Sequence, residues 1–161
     1  MAEKDELVET YDTIKNPQHY AGQGEVECID FIEICIKKYN GIVAGCMFNL
    51  IKYIWRSHNK NGKEDLEKAL WYANRGILLI KNNLHNCFSC ATLEEKLDPS
   101  EELLYLKAVN QITSTLDKAE ADCFLTIIAC IVNGGLMDGT KDYSPNVISA
   151  LENWINIYDK K

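Results

Sequence analysis

The chain has 161 residues, 47% of them hydrophobic, and a formal net charge of −7 at pH 7. This length is typical of one domain with its own core, and the composition argues against a disordered chain. The acidic balance argues against a nucleic-acid-binding protein, because Lys and Arg side chains that neutralise phosphates dominate such binding. The sequence also lacks the roughly 18 uninterrupted apolar residues of a membrane span. The acidic start "MAEKDELVET" does not resemble a secretory signal, so we expect a soluble, cytoplasmic protein without a membrane partner.

The N-terminal half has the pattern of an arm followed by three helices. Residues 1–25 are polar and interrupted by proline and glycine, which predicts an N-terminal arm and loop. Between 26 and 39, apolar side chains recur at helical spacings, which predicts a core-facing helix. Two more helices are expected over about 42–58 and 64–82, because the intervening "NKNG" has the residues of a tight turn. Together these helices form the predicted core, 26–83.

The C-terminal half also has the pattern of helices. The polar, irregular stretch 84–98 predicts a linker, and "DPSEE" predicts a helix start with Asp98 as the cap and Pro99 at the first position. The expected inner side of this fourth helix carries Leu103, Leu106, Val109, Ile112 and Leu116. Two further helices complete a three-helix extension over 99–161 that should pack on the core. Because the sequence shows no strand alternation, the predicted fold class is all-α, built on an antiparallel helix hairpin.

Cysteine usage predicts thiols rather than disulfides or metal ligands. Most of the seven cysteines lie within apolar helical runs, which is typical of reduced, buried side chains. Cys87 and Cys90 have the spacing of half a zinc site, but no second pair follows them in the sequence. We therefore expect no metal site here.

The stretch 49–75 combines positive charge with aromatic rings. It holds six cations and three anions, a local charge of +3 in an acidic chain. On a helical wheel the side chains opposite the two apolar stripes are Asn49, Lys52, Tyr53 and Arg56, and then Asp65, Lys68, Tyr72 and Arg75. A solvated helix face is one interpretation of this pattern, since every amphipathic helix has one. The other is a nucleotide-binding face, because a ring beside Lys and Arg suits a base stacked near its phosphate.

Four segments carry a resemblance to a known family: "NPQHY", "ECIDFIE", "NLIKYIWR" and "KNGKEDLEKALWYANR". They resemble the small phage domain family often labelled nucleotide kinase, whose pattern is H-Y, E-x-I-D, N-x-x-K-Y-x-x-R and K-x-G-x-x-D-L-x-K-A-x-x-Y. The resemblance covers about residues 16–82. It marks as pocket residues His19, Tyr20, Asn49, Lys52, Tyr53, Arg56, Lys60, Lys63, Asp65, Lys68 and Tyr72. It identifies no catalytic residue.

What the resemblance implies is a phage protein in the cytoplasm of an infected bacterial host. Its expected activity is that of a nucleoside-monophosphate kinase that uses ATP, and its expected assembly is a homo-oligomer. Phosphoryl transfer requires cations around the phosphates and usually a carboxylate-held Mg²⁺. The candidate cations are Lys52, Arg56, Lys60 and Lys63, and the best candidate carboxylate is Asp65. The sequence contains no GxxxxGK[ST] loop, which excludes a P-loop kinase.

Two alternatives remain open on the sequence. A cationic, aromatic face could sequester a host immune nucleotide without chemistry, as an anti-defence protein working by affinity. Alternatively, acids at i and i+3 on two helices would hold Mg²⁺ in an all-α pyrophosphohydrolase. The pairs with that spacing are Asp30 with Glu33 and Glu64 with Glu67.

Overall fold

A computed structural model describes residues 25–82, 96–133 and 141–161. In those ranges the secondary structure is helical, with α1 (Cys28–Ile36), α2 (Gly41–Arg56), α3 (Lys63–Asn82), α4 (Pro99–Thr113), α5 (Lys118–Asn133) and α6 (Ser144–Asp159). No strand occurs in the described ranges, so the predicted all-α class is confirmed. The expected arm, apart from its last residue, and most of the expected linker at 84–98 lie outside the described residues, as do Cys87 and Cys90.

Helices α2 and α3 form an antiparallel hairpin across the turn at 57–62. Their contacts run in opposite chain directions: Arg56 bonds Asp65 near the turn, and Cys46 lies against Gly76 far from it. A Cβ added at Gly76 would lie 3.2 Å from Cys46 Cβ and would also clash with the end of the Met47 side chain. The absence of a side chain at Gly76 therefore allows the two backbones to approach closely.

The turn between α2 and α3 depends on its glycine. Gly62 has φ +51°, in the left-handed region that L side chains rarely adopt. A Cβ at this position would also lie 3.1 Å from the ring of Tyr158, near the end of α6. The turn is thus fixed both by its own backbone and by packing against the last helix.

The core is continuous between the N-terminal and C-terminal helices. Helix α1 contacts α2, α4 and α5, while α6 contacts α3 and α5. Phe31 of α1 lies 5.3 Å from Trp55 and 6.3 Å from Phe124 between ring centroids, and Phe124 lies 6.4 Å from Trp154. All four rings are almost completely buried. These large side chains connect the hairpin to the C-terminal helices through one set of contacts.

The N-terminus of α4 matches its prediction. The Asp98 side chain accepts hydrogen bonds from the backbone N–H groups of Ser100 (2.8 Å) and Glu101 (3.0 Å). In return the Glu101 side chain accepts from the backbone N–H of Asp98 at 3.1 Å, which completes a capping box. This arrangement satisfies helix-end donors that otherwise lack an intrahelical partner.

The inner face of α4 agrees with its prediction at the buried Ile112 and the half-buried Val109 and Leu116, but differs at two leucines. Leu103 and Leu106 were expected to face inward, but they are 56% and 51% exposed, whereas Ala108 and Ile112 are buried. The reason is a polar contact: Gln111 accepts from the Val26 backbone N–H at 3.1 Å and donates to the Val26 carbonyl at 2.9 Å. Because Gln111 faces the Val26 backbone, α4 is turned so that Leu103 and Leu106 lie in solvent.

The end of α5 is capped by the segment that follows α1. The Tyr39 hydroxyl donates to the carbonyl of Ile131 at 3.0 Å, and the Lys38 ammonium donates to the carbonyl of Val132. A cation at a helix C-terminus is favourable, because the last carbonyls carry partial negative charge. Burial nevertheless lowers the pKa of Lys38 to about 8.

Five cysteines in the described ranges are buried free thiols, as the sequence predicted: Cys28, Cys35, Cys46, Cys123 and Cys130. Burial raises the pKa of Cys28 to about 12, so its thiol stays protonated near neutral pH. None of the helices in residues 25–82, 96–133 and 141–161 has the length and apolar character that crossing a bilayer requires.

Candidate functional site

Arg56 and Asp65 form a buried ion pair between the end of α2 and the start of α3. Arg56 donates from Nε to Oδ2 and from Nη2 to Oδ1 of Asp65, both at 3.0 Å. Asp65 is fully buried and Arg56 is only 8% exposed. The expectation that Arg56 lies on an outer, solvated face is therefore wrong. Asp65 is also a poor candidate for the Mg²⁺ ligand suggested by the sequence, because both carboxylate oxygens already accept hydrogen bonds from Arg56.

Lys52 occupies the outer side of α2, one turn before Arg56. Its ammonium donates to Asn49 Oδ1 at 2.7 Å, and Asn49 in turn donates from Nδ2 to the carbonyl of Gly45 at 2.9 Å. Burial and the nearby Arg56 charge both lower the pKa of Lys52. Within the described part of the chain, Lys52 forms no ion pair with a carboxylate. An amide rather than an ion-paired carboxylate therefore holds its ammonium in place.

Aromatic rings lie directly beside these cations. Tyr53 of α2 stacks on Tyr72 of α3 with ring centroids 5.8 Å apart, and both rings are half-buried. The Lys52 ammonium lies 4.8 Å from the Tyr53 ring centroid, the Arg56 guanidinium 4.7 Å and the Lys68 ammonium 5.9 Å. Each distance is within the range of a cation–π contact. Three cations from two helices thus surround one tyrosine ring.

We call this set of residues the cation–aromatic patch: Asn49, Lys52, Tyr53, Arg56, Lys68 and Tyr72. Lys68 belongs to its α3 side, where it is half-buried and pairs with Glu64. A hydrogen bond from Lys68 to Glu64 raises the pKa of this lysine. Because Glu64 is exposed, an incoming anion can compete with it for Lys68.

The patch does not include Lys60 and Lys63, two further predicted residues that the structure describes. Lys63 extends toward α6 and pairs with Asp159 at 2.5 Å, and this hydrogen bond raises its pKa. Lys60 is exposed in the turn between α2 and α3. His19 and Tyr20 lie outside the described residues. The structure therefore brings together six members of the predicted set, pairs Asp65 with Arg56, and places Lys63 in contact with the last helix.

Three neighbours of the patch were not singled out by sequence reasoning. Phe48 is half-buried with its ring centroid 5.9 Å from the Lys52 ammonium. Trp71 is 61% exposed and meets the Tyr72 ring edge-on at 4.9 Å. Gly45 is exposed, and a Cβ built on it would meet nothing within 4 Å. The signal for Trp71 and Gly45 was present in the sequence: a large ring and a glycine each at an outward helical position.

Acidic side chains do not converge into a metal site in the described ranges. Among those residues, no three His, Cys, Asp or Glu side chains lie together in a way that could hold a metal ion. The two acid pairs considered for a pyrophosphohydrolase lie on α1 and α3, and their four side chains are exposed. The described residues therefore do not assemble the shared Mg²⁺ site that this alternative requires.

A family model described as a protein of unknown function (DUF3310) matches residues 14–74. This match includes every residue of the cation–aromatic patch and ends within α3. No curated protein and no solved structure matches the chain. The comparisons thus link the patch-bearing segment to a family but attach no activity to it.

Proposed function

We propose that the protein binds a phosphorylated nucleotide at the cation–aromatic patch. The observation that carries this proposal is Lys52: a half-buried cation held by Asn49 and placed beside the Tyr53 ring without a carboxylate partner among the described residues. Desolvated, uncompensated cations attract anions strongly, because a nearby low-dielectric wall reduces screening. A phosphorylated nucleotide supplies both an anionic phosphate and a planar base that aromatic side chains can contact.

The parts of the patch have distinct roles in this proposal. Lys52 and Lys68 contact phosphate oxygens, and each charge-assisted contact contributes about 1.5–3 kcal/mol. Phe48, Tyr53 and Tyr72 supply the apolar surface for the base. Arg56 acts as a positioning residue, since its Nε and Nη2 atoms bond Asp65 and its plane lies against Tyr53.

The family resemblance supports a kinase as the activity of this site. A nucleoside-monophosphate kinase positions two nucleotides and neutralises the transferred phosphoryl group, and lysines beside the phosphates serve that purpose. The Mg²⁺ that such an enzyme would use has no carboxylate site in the described residues, because Asp65 is paired with Arg56. The proposed kinase activity therefore includes no step on a protein-held metal.

Sequestration is the second candidate function, and the Arg56–Asp65 ion pair favours it. Asp65 was the best carboxylate in the motif for chemistry, and the structure gives it a structural partner instead. A phage protein in an infected bacterial cell would then act by holding a host signalling nucleotide rather than converting it. Both proposals include a homo-oligomer. A patch on the surface of a small domain cannot enclose a base by itself, and neighbouring subunits would supply the other sides of the pocket.

Mass spectrometry of small molecules released by denaturing the purified protein tests sequestration, and a separate phosphoryl-transfer assay tests the kinase. An unmodified signalling nucleotide supports sequestration, whereas ADP formed from ATP only when a nucleoside monophosphate is present supports the kinase. Calorimetric titration with the identified nucleotide should show at least a tenfold loss of affinity in Lys52→Ala, about 1.4 kcal/mol. Lys107→Ala is the matched control, because Lys107 lies on α4 and pairs with Glu25. Equal binding by the parent and Lys52→Ala would refute the patch as the site.

A further inference from the structure

Helix α2 carries an exposed glycine that packing does not explain. A Cβ built on Gly45 would meet nothing within 4 Å, so the described residues leave room for a side chain there. Glycine inside a helix is unfavourable compared with alanine, because it loses more conformational freedom on folding. Gly76 differs, since a Cβ at that position would lie 3.2 Å from Cys46 Cβ. Gly45 instead exposes bare backbone, which is how glycine allows a ligand to approach a helix closely.

The bare backbone at Gly45 is continuous with the cation–aromatic patch. Gly45 is seven residues before Lys52, so the two lie on the same side of α2 about two turns apart. Asn49 connects them: its Nδ2 donates to the Gly45 carbonyl at 2.9 Å, and its Oδ1 accepts from the Lys52 ammonium at 2.7 Å. A ligand held by Lys52 therefore has an open path along α2 toward Gly45.

An unpaired arginine lies at the same end of the hairpin. Arg75 is exposed and is seven residues after Lys68, on the same side of α3. Burial raises the pKa of Cys46, and the Arg75 charge partly offsets this rise, so Arg75 is close to the residue that follows Gly45. No carboxylate among the described residues forms an ion pair with Arg75. Arg75 is thus available to an incoming anion.

We propose that Gly45 and Arg75 extend the cation–aromatic patch and bind a second phosphate group of the ligand. This inference rests on the proposed nucleotide binding and names its ligand class, a nucleotide with at least two phosphate groups. Arg75 donates two parallel N–H groups to the second phosphate, a contact that suits the planar guanidinium. The bare backbone at Gly45 lets this end of the ligand lie against α2, while Lys52 and Lys68 contact the first phosphate.

The charges of the extended patch also favour two phosphate groups. Lys52 and Arg75 have no carboxylate partner among the described residues, and the Glu64 partner of Lys68 is exposed and can be displaced. One phosphate group carries only about −1.5 to −2 at pH 7, so it does not balance three cations. The second phosphate is either joined to the first in a diphosphate or separated from it by a nucleoside, as in a cyclic dinucleotide.

Calorimetric titration of the full chain tests the second phosphate. The probes are the monophosphate and diphosphate of each common nucleoside, and cyclic dinucleotides built from the same nucleosides. At least one diphosphate or cyclic dinucleotide should bind about tenfold more tightly than the matching monophosphate. Arg75→Gln should reduce this advantage to about threefold or less and leave monophosphate affinity unchanged, whereas Lys52→Ala should weaken every probe. Lys81→Gln is the charge-matched control, because Lys81 lies on the same helix and contacts Asp142 at 3.7 Å.

Gly45→Ala separates a binding role from a structural role. Alanine favours the helix and has room at this position, so the variant should melt above the parent. Its added methyl group should nevertheless lower the affinity for the two-phosphate probe by about threefold or more. A purely structural glycine would not combine higher stability with weaker binding.

Chemical modification gives a local readout of Arg75. The sequence contains two arginines, and Arg56 is buried in its pair with Asp65. Phenylglyoxal, which modifies accessible guanidinium groups, should therefore react first at Arg75. The best two-phosphate probe should slow this reaction at saturation, and the matching monophosphate at saturation should slow it less. Peptide mass spectrometry measures both rates.

The outcomes distinguish this inference from the proposed function on which it rests. A parent protein that binds no nucleotide overturns both. A parent that binds nucleotides but shows no preference for two phosphate groups overturns this inference alone. So does equal behaviour of Arg75→Gln and Lys81→Gln, unchanged affinity in Gly45→Ala, or modification of Arg75 at the same rate with and without the bound probe.

Discussion

Replacing Arg56 with alanine would leave the Asp65 carboxylate buried without its guanidinium partner. Asp65 is 0% exposed, and each of its oxygens accepts a 3.0 Å hydrogen bond from Arg56. Removing one partner of such a pair costs about 3–5 kcal/mol, because the remaining charge is uncompensated. For a domain of this size each kcal/mol lowers the melting temperature by about 2–4 °C. We therefore expect Arg56→Ala to melt about 6–20 °C below the parent.

Urea unfolding followed by circular dichroism measures this loss against two comparison variants. Arg56→Met combined with Asp65→Leu should recover most of it, since apolar residues of similar volume can replace a buried ion pair at little cost. Lys52→Ala is the control on the neighbouring turn and should change the free energy of unfolding by about 0.5 kcal/mol or less. An Arg56→Ala protein within about 1 kcal/mol of the parent would refute the inference that this pair stabilises the hairpin.

Three further substitutions test other features of the fold. Gly45→Ala should stabilise the protein by about 1 kcal/mol through helix propensity, because a Cβ there meets nothing within 4 Å. Gly76→Ala should destabilise the protein instead, since overpacking against Cys46 costs about 1–3 kcal/mol. Urea unfolding in which the midpoints of both variants shift in the same direction would contradict this pair of predictions. Burial lowers the pKa of Lys38 to about 8, so the folded state releases this proton before the unfolded chain does, and the contribution of Lys38 to stability should rise with pH from about 8 to about 10.5, against the opposite trend from buried thiols such as Cys28. Lys38→Met should remove that rise in pH-dependent unfolding, and an unchanged pH profile would refute the assignment.

Helical periodicity was sufficient to predict the elements of this fold. The expected third helix at 64–82 corresponds to α3 at Lys63–Asn82, and the expected cap at Asp98 is present with its reciprocal bond from Glu101. These features depend on local spacing and on backbone groups within a few residues. A single sequence contains that information directly.

The misplaced side chains are those whose position depends on a contact with another segment. A wheel drawn for α2 alone assigns Arg56 to solvent, because a charged side chain is rarely buried without a partner. Its partner Asp65 is nine residues later, on the other side of a turn. Leu106 was predicted inward for the same reason: the periodicity of α4 cannot include the pairing of Gln111 with the Val26 backbone.

The hairpin geometry explains why Arg56 should matter to ligand binding without touching the ligand. The Arg56–Asp65 pair fixes α2 against α3 near the turn, and Gly76 allows their close approach at the other end. Tyr53 and Tyr72 stack between these two constraints, so their separation follows from both. The combined Arg56→Met and Asp65→Leu variant keeps the helices packed while removing the guanidinium. We expect this variant to retain nucleotide affinity within tenfold of the parent, unlike Lys52→Ala; a larger loss in calorimetric titration would show that Arg56 contacts the phosphate itself.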